Sequence, residues 1–247
     1  MFSSFKLELI KPENFKPSDD FDPFMRLVAL FSGGKDSTYA AHLAENDGHD
    51  VTNFVSIQPL RDDSWMFHSV NSQITPLLAE AMGKHIVTVP TSGEKELELG
   101  DLLLALVKIS VDGVVTGAIA SNYQKKRVDE ICTKLGLLHY APLWGMDPEK
   151  VLTAEISSGM NIIFTAVAAR GLDVSWLGKK LDFKTLKELS LLHTNYGLNI
   201  CGEGGEYETL VTNAPWFISR LDILKTETVW DGISGKYLVK DASLRKN

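Results

Sequence analysis

The residues best suited to chemistry stand together near the N-terminus, in the segment Ser32-Gly33-Gly34-Lys35-Asp36-Ser37. This segment follows a short apolar run and precedes a helical pattern, so backbone N–H groups and the positive end of a helix dipole converge there. Gly33 and Gly34 permit positive φ angles and close approach of an anion to the backbone. Ser32 and Ser37 add hydroxyl donors. The segment, here called the phosphate loop, is therefore predicted to bind phosphate.

Two charged residues of the phosphate loop each allow a structural interpretation beside the chemical one. Lys35 either pairs with a phosphate or is a solvated lysine at the start of a helix, and the sequence leaves both open. Asp36 orients the loop, holds Mg²⁺ through water, or stabilises the first helical turn. An isolated Ser-Gly-Gly would favour an ordinary capped turn, but six such residues between a strand and a helix favour the phosphate site. We assign Lys35 and Asp36 to both the catalytic and the nucleotide-binding sets.

A second unusual segment, Gly202 to Thr209, has the sequence Gly-Glu-Gly-Gly-Glu-Tyr-Glu-Thr and is here called the acid-rich segment. Its plain interpretation is a tight turn that feeds a hairpin and exposes its glutamates. However, Glu203, Glu206 and Glu208 repel one another, and the glycines among them cost chain entropy. The pattern therefore favours a functional segment.

The phosphate loop matches the SGGxDS signature of the pyrophosphatase-loop superfamily of adenine nucleotide α-hydrolases, whose members split ATP into AMP and pyrophosphate. It has neither the glycine spacing of GxxxxGK[ST] nor that of GxGxxG. Three further segments accompany it: Phe67-His68-Ser69, Gly117-Ala118-Ile119 followed by Ser121-Asn122-Tyr123-Gln124 and Arg127, and the acid-rich segment. Together they resemble the diphthine–ammonia ligase family, which forms the last amide of diphthamide on translation elongation factor 2. The resemblance covers roughly residues 26 to 230.

The resemblance implies an ATP-dependent carbon–nitrogen ligase that uses ATP with Mg²⁺, passes through an acyl-adenylate, and releases AMP and pyrophosphate. It implies elongation factor 2 carrying diphthine, together with ammonium, as partners. Diphthine bears a trimethylammonium group beside the carboxylate to be amidated, so acidic side chains and an aromatic face such as Tyr207 suit its recognition. The chain has no evident glutaminase segment, which favours free ammonium as the nitrogen source.

Under this resemblance the candidate residues form three sets. The catalytic set is Lys35, Asp36, Glu203, Glu206 and Glu208. The nucleotide-binding set is Ser32, Gly33, Gly34, Lys35, Asp36, Ser37, Ser56, Ile57 and Gly117. The substrate-binding set is His68, Ser69, Tyr123, Gln124, Arg127, Trp144, Gly204, Gly205, Glu206, Tyr207, Glu208 and Thr209.

Several of these roles stay open. Arg127 either faces the nucleotide or is a surface arginine, and His68 lies in a long loop where an isolated histidine is often structural. Ser56 and Ile57 end a predicted strand and are expected to contact adenine through their backbone only. One of the three glutamates is expected to accept a proton from ammonium, and the sequence does not single it out.

Composition narrows the class of protein further. The 247 residues are 44% hydrophobic and 23% charged, which is typical of a globular protein. A formal net charge of −7 gives no overall attraction to nucleic acid. No apolar run reaches the roughly 18 residues of a membrane span, and the N-terminus lacks a secretory signal. A cytoplasmic enzyme with neither a membrane nor a nucleic-acid partner is expected.

The elements that must position the two segments alternate along the chain. Leu27 to Phe31 is a continuous apolar strand, and strands and amphipathic helices then alternate up to about residue 143. This predicts an α/β fold with an open, mostly parallel sheet and helices on both faces. The final 45 or so residues resemble strands joined by turns. We expect an N-terminal extension (1–24), an ATP-binding domain (25–145) and a smaller mixed α+β substrate-binding subdomain (146–247).

Two rival functions share the phosphate loop. One is a tRNA-modifying ligase or thiolase of the same superfamily. The net negative charge, the absence of CxxC pairs and the acid-rich segment argue against it. The other is a non-catalytic ATP-binding sensor, which would form neither AMP nor pyrophosphate. The extension is a departure from the family, since its members usually begin almost at the first strand. It could cover an edge strand, be disordered, or pair with a second subunit, so a homodimer stays open.

Overall fold

The computed structural model describes residues 24–59, 70–92 and 97–247. Its first sheet has five parallel strands in the spatial order β3-β2-β1-β4-β5. These strands are β1 (Arg26–Leu30), β2 (Asp50–Pro59), β3 (His85–Thr91), β4 (Gly113–Val115) and β5 (Leu138–Tyr140). The strand order reverses between β1 and β4, and in open parallel sheets ligands bind outside the carboxyl ends of the strands at such a point.

Helices cover both faces of this sheet, as the sequence predicts. The six α-helices of the described residues are α1 (Lys35–Asn46), α2 (Thr75–Ala81), α3 (Leu97–Leu106), α4 (Asn122–Leu135), α5 (Pro148–Ser157) and α6 (Phe183–Tyr196). On one face α1 and α2 pack in the same apolar core as Phe54. On the other face α3 and α4 pack in a separate core around Val55 and Val114. Because both faces are covered, Leu27, Val28 and Ala29 of β1 are all buried.

Helix α4 shows how local sequence signals fix an element. The hydroxyl of Ser121 accepts a hydrogen bond from the backbone N–H of Gln124 at 3.4 Å, which caps the first turn. The helix ends at Gly136, whose φ of 66° is the left-handed conformation that favours glycine. Both signals are readable in the sequence and predict a helix from about residue 122 to residue 135, and the structure confirms these bounds.

A second sheet follows in the C-terminal part of the chain. Its strands are β6 (Asn161–Val167), β7 (Lys180–Leu181), β8 (Tyr207–Asn213), β9 (Ser219–Trp230) and β10 (Gly235–Lys246). They pair antiparallel in the order β7-β6-β10-β9, and β8 pairs with β6. With α5 and α6 this sheet makes the mixed α+β part that the sequence predicts, although the two-residue strand β7 was not foreseen.

The two sheets share one apolar core. Phe54 and Leu78 from the first part and Phe164 and Leu210 from the second belong to the same buried cluster. Polar contacts join the two parts as well: the side chain of Asn71 donates to the carbonyl of Tyr237 at 2.9 Å and accepts from the backbone of Val239 at 2.8 Å. Strand β10 is thereby held against the residues that precede α2. None of the helices in these described ranges combines the length and the hydropathy that crossing a bilayer requires.

Candidate active site

The phosphate loop and the acid-rich segment lie on the same cavity, which has a volume of about 430 Å³. It opens where β1 and β4 end, next to the start of β8. The candidate residues that line it are Ser32, Gly34, Lys35, Asp36, Ser37, Ile57, Gly117, Gln124, Glu203, Gly204, Gly205, Tyr207, Glu208 and Thr209. Leu30, Val55 and Val128 give one wall an apolar character. Two segments from distant parts of the chain therefore face one space.

The phosphate loop is held in shape by its own polar groups. Gly33 has a φ of 78°, which an L side chain rarely adopts. The hydroxyl oxygens of Ser32 and Ser37 are 3.1 Å apart, and the backbone N–H of Gly34 donates to the hydroxyl of Ser32 at 3.3 Å. Helix α1 begins at Lys35, and Gly34 before it has no side chain that could cap the first turn. The N-terminus of a helix suits an anion.

Strand β8 lies directly against the phosphate loop. The backbone N–H of Val211 donates to the carbonyl of Gly33 at 2.9 Å, and the backbone N–H of Lys35 donates to the hydroxyl of Thr209 at 3.2 Å. A Cβ atom added to Gly34 would lie 3.3 Å from the carbonyl oxygen of Thr209. The second sheet thus helps to form the loop, and Thr209 is one of its supports.

Lys35 is buried beneath the loop and is not the solvated lysine that the sequence allowed. Its side chain is 1% exposed, and its Nζ lies 2.6 Å from Oδ1 of Asp36 and 3.7 Å from Oε2 of Glu155 on α5. The ring of Tyr207 lies below the ammonium, 5.9 Å from Nζ to the ring centroid. The cation therefore joins the loop, α5 and the acid-rich segment.

Burial and the neighbouring negative charges have opposite effects on the pKa of Lys35. Burial alone would lower the pKa of Lys35, but the negative charges of Asp36 and Glu155 outweigh it and raise the pKa well above its usual value. Lys35 is accordingly a cation at neutral pH. Burial also raises the pKa of Glu155, against the opposing effect of Lys35. Glu155 is fully buried, and sequence reasoning missed it.

Glu203 links the acid-rich segment to the loop after β4. Its two carboxylate oxygens accept the backbone N–H groups of Ile119 and Ala120, both at 2.8 Å. Glu206 turns another way: its Oε1 accepts from the backbone N–H of Asn199 at 3.3 Å, and it is not among the cavity residues. Glu208 lines the cavity at the start of β8. The three glutamates of the catalytic set therefore occupy three different environments.

Tyr207 supports the site from within the core. Its hydroxyl donates to the carbonyl of Ile200 at 2.6 Å, and its ring packs edge-on against Phe164 at 5.0 Å. Only 3% of the residue is exposed. Burial raises the pKa of Tyr207, so its hydroxyl stays protonated. The aromatic face expected to meet the diphthine cation is thus mostly covered.

Gly117 fits between β4 and α1. A Cβ atom there would lie 2.5 Å from the carbonyl carbon of Asp36 and 2.7 Å from the backbone nitrogen of Ser37. No side chain can occupy that position without moving the first turn of α1. The glycine lets the ends of β1 and β4 approach each other at the cavity.

The remaining candidates lie beside the cavity or outside the described part of the chain. Arg127 stacks on Tyr123 with 3.7 Å between its guanidinium carbon and the ring centroid, and neither residue lines the cavity. Trp144 does not line the cavity either, and its ring packs against the ammonium of Lys125. Ser56 is buried and accepts a hydrogen bond from Thr75. His68 and Ser69 lie outside the residues that the structure describes.

Sequence reasoning also missed a hydrogen-bonded chain at the edge of the cavity. It runs from Thr116 through His139 to Asp129 and Lys125. Only the Lys125–Asp129 pair has a sequence signal, because its members are four residues apart on α4. The Thr116–His139 contact depends on the pairing of β4 with β5, and the His139–Asp129 contact depends on the position of α4 beside β5.

The donor groups of the cavity include one carboxylate in the phosphate loop, which fits a Mg²⁺ that is bound mainly through nucleotide phosphates and water. Among residues 24–59, 70–92 and 97–247 no three His, Cys, Asp or Glu side chains are grouped to hold a metal ion. Mg²⁺ commonly takes one or two carboxylates together with substrate phosphates and water. Asp36, whose side chain is 30% exposed, is the carboxylate in the phosphate loop.

Family models and curated relatives of one family match this sequence over most of its length. Residues 25–139 match the family model described as the diphthamide synthase N-terminal domain, and residues 147–244 match that of the diphthamide synthase C-terminal domain. A Danio rerio protein named diphthine–ammonia ligase is 38% identical over 227 residues, which cover 83% of this chain and 89% of that protein. A Bos taurus protein of the same name is 36% identical and covers 83% and 85%. A solved structure titled as a predicted subunit of tRNA methyltransferase, from Methanocaldococcus jannaschii, covers 77% of this chain and 98% of its own, with 14% identity and a TM-score of 0.45.

Proposed function

The chain belongs to the diphthamide synthase family, and from this premise we propose that it amidates diphthine on translation elongation factor 2, using ATP and ammonium. The products are diphthamide, AMP and pyrophosphate. The observation that carries the proposal is the cavity of about 430 Å³ lined by both the phosphate loop and the acid-rich segment. Small-molecule sites usually measure about 300–1,000 Å³.

The nucleotide side of the reaction is assigned to the phosphate loop. An oxygen of the diphthine carboxylate attacks the α-phosphorus of ATP, the bond to pyrophosphate breaks, and an acyl-adenylate forms. The N-terminus of α1 and the loop N–H groups stabilise the charge that develops on pyrophosphate. Mg²⁺ bound with ATP, held by Asp36 and by phosphate oxygens, would neutralise part of that charge. Lys35 keeps Asp36 in position through the 2.6 Å contact.

The acceptor side is assigned to the acid-rich segment and its surroundings. Nitrogen then attacks the acyl carbon, and the bond from that carbon to the AMP oxygen breaks. Glu203 and Thr209 act as supports of the site, because their side chains are engaged with backbone N–H groups of the first part of the chain. Glu208 and Gln124 remain as candidates for contact with diphthine. In this assignment residues 25–145 form the ATP-binding domain and residues 146–247 form the substrate-binding subdomain. The extension predicted at residues 1–24 lies outside the described residues except for Phe24.

The proposal extends to the setting in which the enzyme works. We assign it to the cytoplasm because translation elongation factors act there.

We also propose a homodimer, supported by exposed apolar side chains on the β9–β10 hairpin, where Leu224 is 61% exposed and Ile233 is 81% exposed. Light scattering at several concentrations tests the dimer, and a constant monomer mass would exclude it.

The deciding experiment combines the purified chain with ATP, Mg²⁺, ammonium chloride and elongation factor 2 that carries diphthine. We expect AMP, pyrophosphate and the amide on the elongation factor, the last detected by mass spectrometry. Each component is omitted in turn. Replacing ammonium with glutamine should abolish amide formation, and strict dependence on glutamine would contradict the nitrogen source.

The same assay separates the two rivals. A nucleotide sensor would bind ATP and yield neither AMP nor pyrophosphate. A tRNA-modifying enzyme would yield both products only when tRNA replaces the elongation factor, and its tRNA affinity would fall steeply with salt. Either result would replace the proposed function.

A further inference from the structure

Four polar side chains form a continuous chain that ends at the cavity. The hydroxyl oxygen of Thr116 lies 2.7 Å from Nε2 of His139, whose Nδ1 lies 2.6 Å from Oδ1 of Asp129. The other carboxylate oxygen of Asp129 accepts from the ammonium of Lys125 at 2.7 Å. Thr116 and Lys125 line the cavity, while the side chain of His139 is 5% exposed and stands behind Thr116.

The charges around His139 fix the direction of these hydrogen bonds. Burial raises the pKa of Asp129, but hydrogen bonds from Lys125 and His139 outweigh it and lower the pKa below its usual value, so Asp129 is ionised at neutral pH. The carboxylate accepts from Nδ1–H of His139, which leaves Nε2 as the acceptor in the neutral ring. Thr116 must then donate its hydroxyl proton to Nε2. Its oxygen keeps its lone pairs for an N–H or O–H donor in the cavity.

His139 itself is neutral at neutral pH and can take up a proton. Burial lowers the pKa of His139; Asp129 opposes this effect, and Lys125 reinforces it. Both charged groups lie on α4, and the group that faces the ring from the end of β4 is the uncharged Thr116. An imidazolium formed here would have the carboxylate of Asp129 at 2.6 Å to stabilise it.

Amidation by ammonium needs such an acceptor. Ammonium has no lone pair, so it must lose a proton before nitrogen can attack the acyl-adenylate. Two of the three candidate glutamates are otherwise engaged: Glu203 accepts two backbone N–H groups, and Glu206 bonds to the backbone of Asn199 away from the cavity lining. Glu208 is the rival within the acid-rich segment.

We propose that Thr116, His139 and Asp129 form a proton relay that deprotonates ammonium at the cavity; this rests on the proposed function. Ammonium gives one proton to Oγ of Thr116 as the hydroxyl proton of Thr116 passes to Nε2 of His139, and ammonia is formed. The ammonia nitrogen bonds to the acyl carbon. The adduct loses its second proton to water, and the carbon–oxygen bond to AMP breaks. His139 later returns its proton to solvent by the same route.

Hydroxylamine separates this role from a structural one. It is largely unprotonated at neutral pH and intercepts acyl-adenylates as hydroxamates without needing a relay. We expect T116V and H139Q to lower amidation by ammonium chloride by about 100-fold, within the range of general-base effects. Hydroxamate formation and diphthine-dependent exchange of pyrophosphate into ATP should stay near the wild-type rate. T116S keeps the hydroxyl and should restore amidation.

The matched control is T165V, which alters a buried threonine on β6 that does not line the cavity. All three activities of T165V should match the wild type.

If T116V lowers pyrophosphate exchange as much as amidation, Thr116 contacts the nucleotide or supports the fold, and the relay is wrong. A selective loss of ammonium-dependent activity in E208Q, with H139Q unaffected, would make Glu208 the base instead. Absence of exchange in the wild type would refute the proposed function itself, which is a separate result.

Discussion

Gly117 has no room for a side chain, because a Cβ atom would lie 2.5 Å from the backbone of Asp36. We expect G117A to push the first turn of α1 away from β4 and to lower the free energy of unfolding by about 1–3 kcal/mol, the usual cost of overpacking. The loss of pyrophosphate exchange should be larger than the loss of stability explains, since the phosphate loop moves with α1. Urea unfolding and the exchange assay measure the two effects.

Gly100 supplies the control for that substitution. It lies within α3, and a Cβ atom there would meet nothing within 4 Å. G100A should stabilise the chain by about 0.5–1 kcal/mol, because alanine loses less backbone entropy in a helix than glycine does. Equal stability of G117A and the wild type would show that the contact at Gly117 is not tight.

The buried cation Lys35 gives a second prediction for single residues. Removing it in K35M leaves the fully buried Glu155 without its nearby positive charge. We expect K35M to lower the free energy of unfolding by about 3–5 kcal/mol, the range for breaking a buried ion pair. The double variant K35M/E155L, which replaces both charges by apolar groups, should recover a large part of that loss. Chemical denaturation measures both, and additive losses in the double variant would contradict the pairing.

In several of these contacts the sequence identifies one of the two residues as functional and gives no sign of the other. The phosphate loop and the acid-rich segment stood out because glycines, acids and hydroxyls cluster there within a few residues. Glu155 and His139 carry no such local signal. Their roles arise from contacts with Lys35 and Thr116, which lie far away in sequence. Spacing along one chain cannot predict pairs that only the packed fold brings together.

At the level of elements, strand β8 supports the loop that precedes helix α1. The hydroxyl of Thr209 accepts the backbone N–H of Lys35 at 3.2 Å, and T209V removes that acceptor while keeping the size of the side chain. We expect T209V to raise the Michaelis constant for ATP several-fold and to lower the free energy of unfolding by about 1 kcal/mol. T209S should behave as the wild type does. The control T226V alters an exposed position on β9, and a similar rise there would contradict the specific role of Thr209.

Elements with signals in their own sequence were the predictable ones. The sequence patterns predict helices at residues 148–157 and 183–196, and the structure confirms both, since Asp147 and Asp182 cap the first turns of α5 and α6. The apolar pattern of residues 138–143 predicts a strand over that whole run, but the observed strand is shorter, because β5 pairs with β4 only as far as Tyr140. The two-residue β7 exists through its pairing with β6. Strand length is set by a partner strand, and a single sequence does not show where that partner ends.

At the level of the whole molecule, a histidine joins its two parts. His42 of α1 stacks on Trp216, which precedes β9, with 3.6 Å between ring centroids. Burial lowers the pKa of His42, against the opposing charge of Glu45, from an unfolded value near 6.5. The unfolded chain therefore binds more protons than the folded chain just below that pH. The stability that His42 contributes is fully present above about pH 6.5 and is lost as the pH falls through the folded pKa.

We therefore expect the free energy of unfolding of the wild type to decrease from pH 7.5 towards pH 5, and H42Q to show a shallower decrease over the same range. Burial also lowers the pKa of His139, so His139 accounts for part of the pH dependence that remains in H42Q. The control H85Q alters an exposed histidine on β3. Urea unfolding at half-unit steps of pH measures the slopes. If H42Q has the same slope as the wild type, His42 takes up a proton as readily in the folded chain as in the unfolded one. The contact between His42 and Trp216 would then make no contribution to the pH dependence of stability.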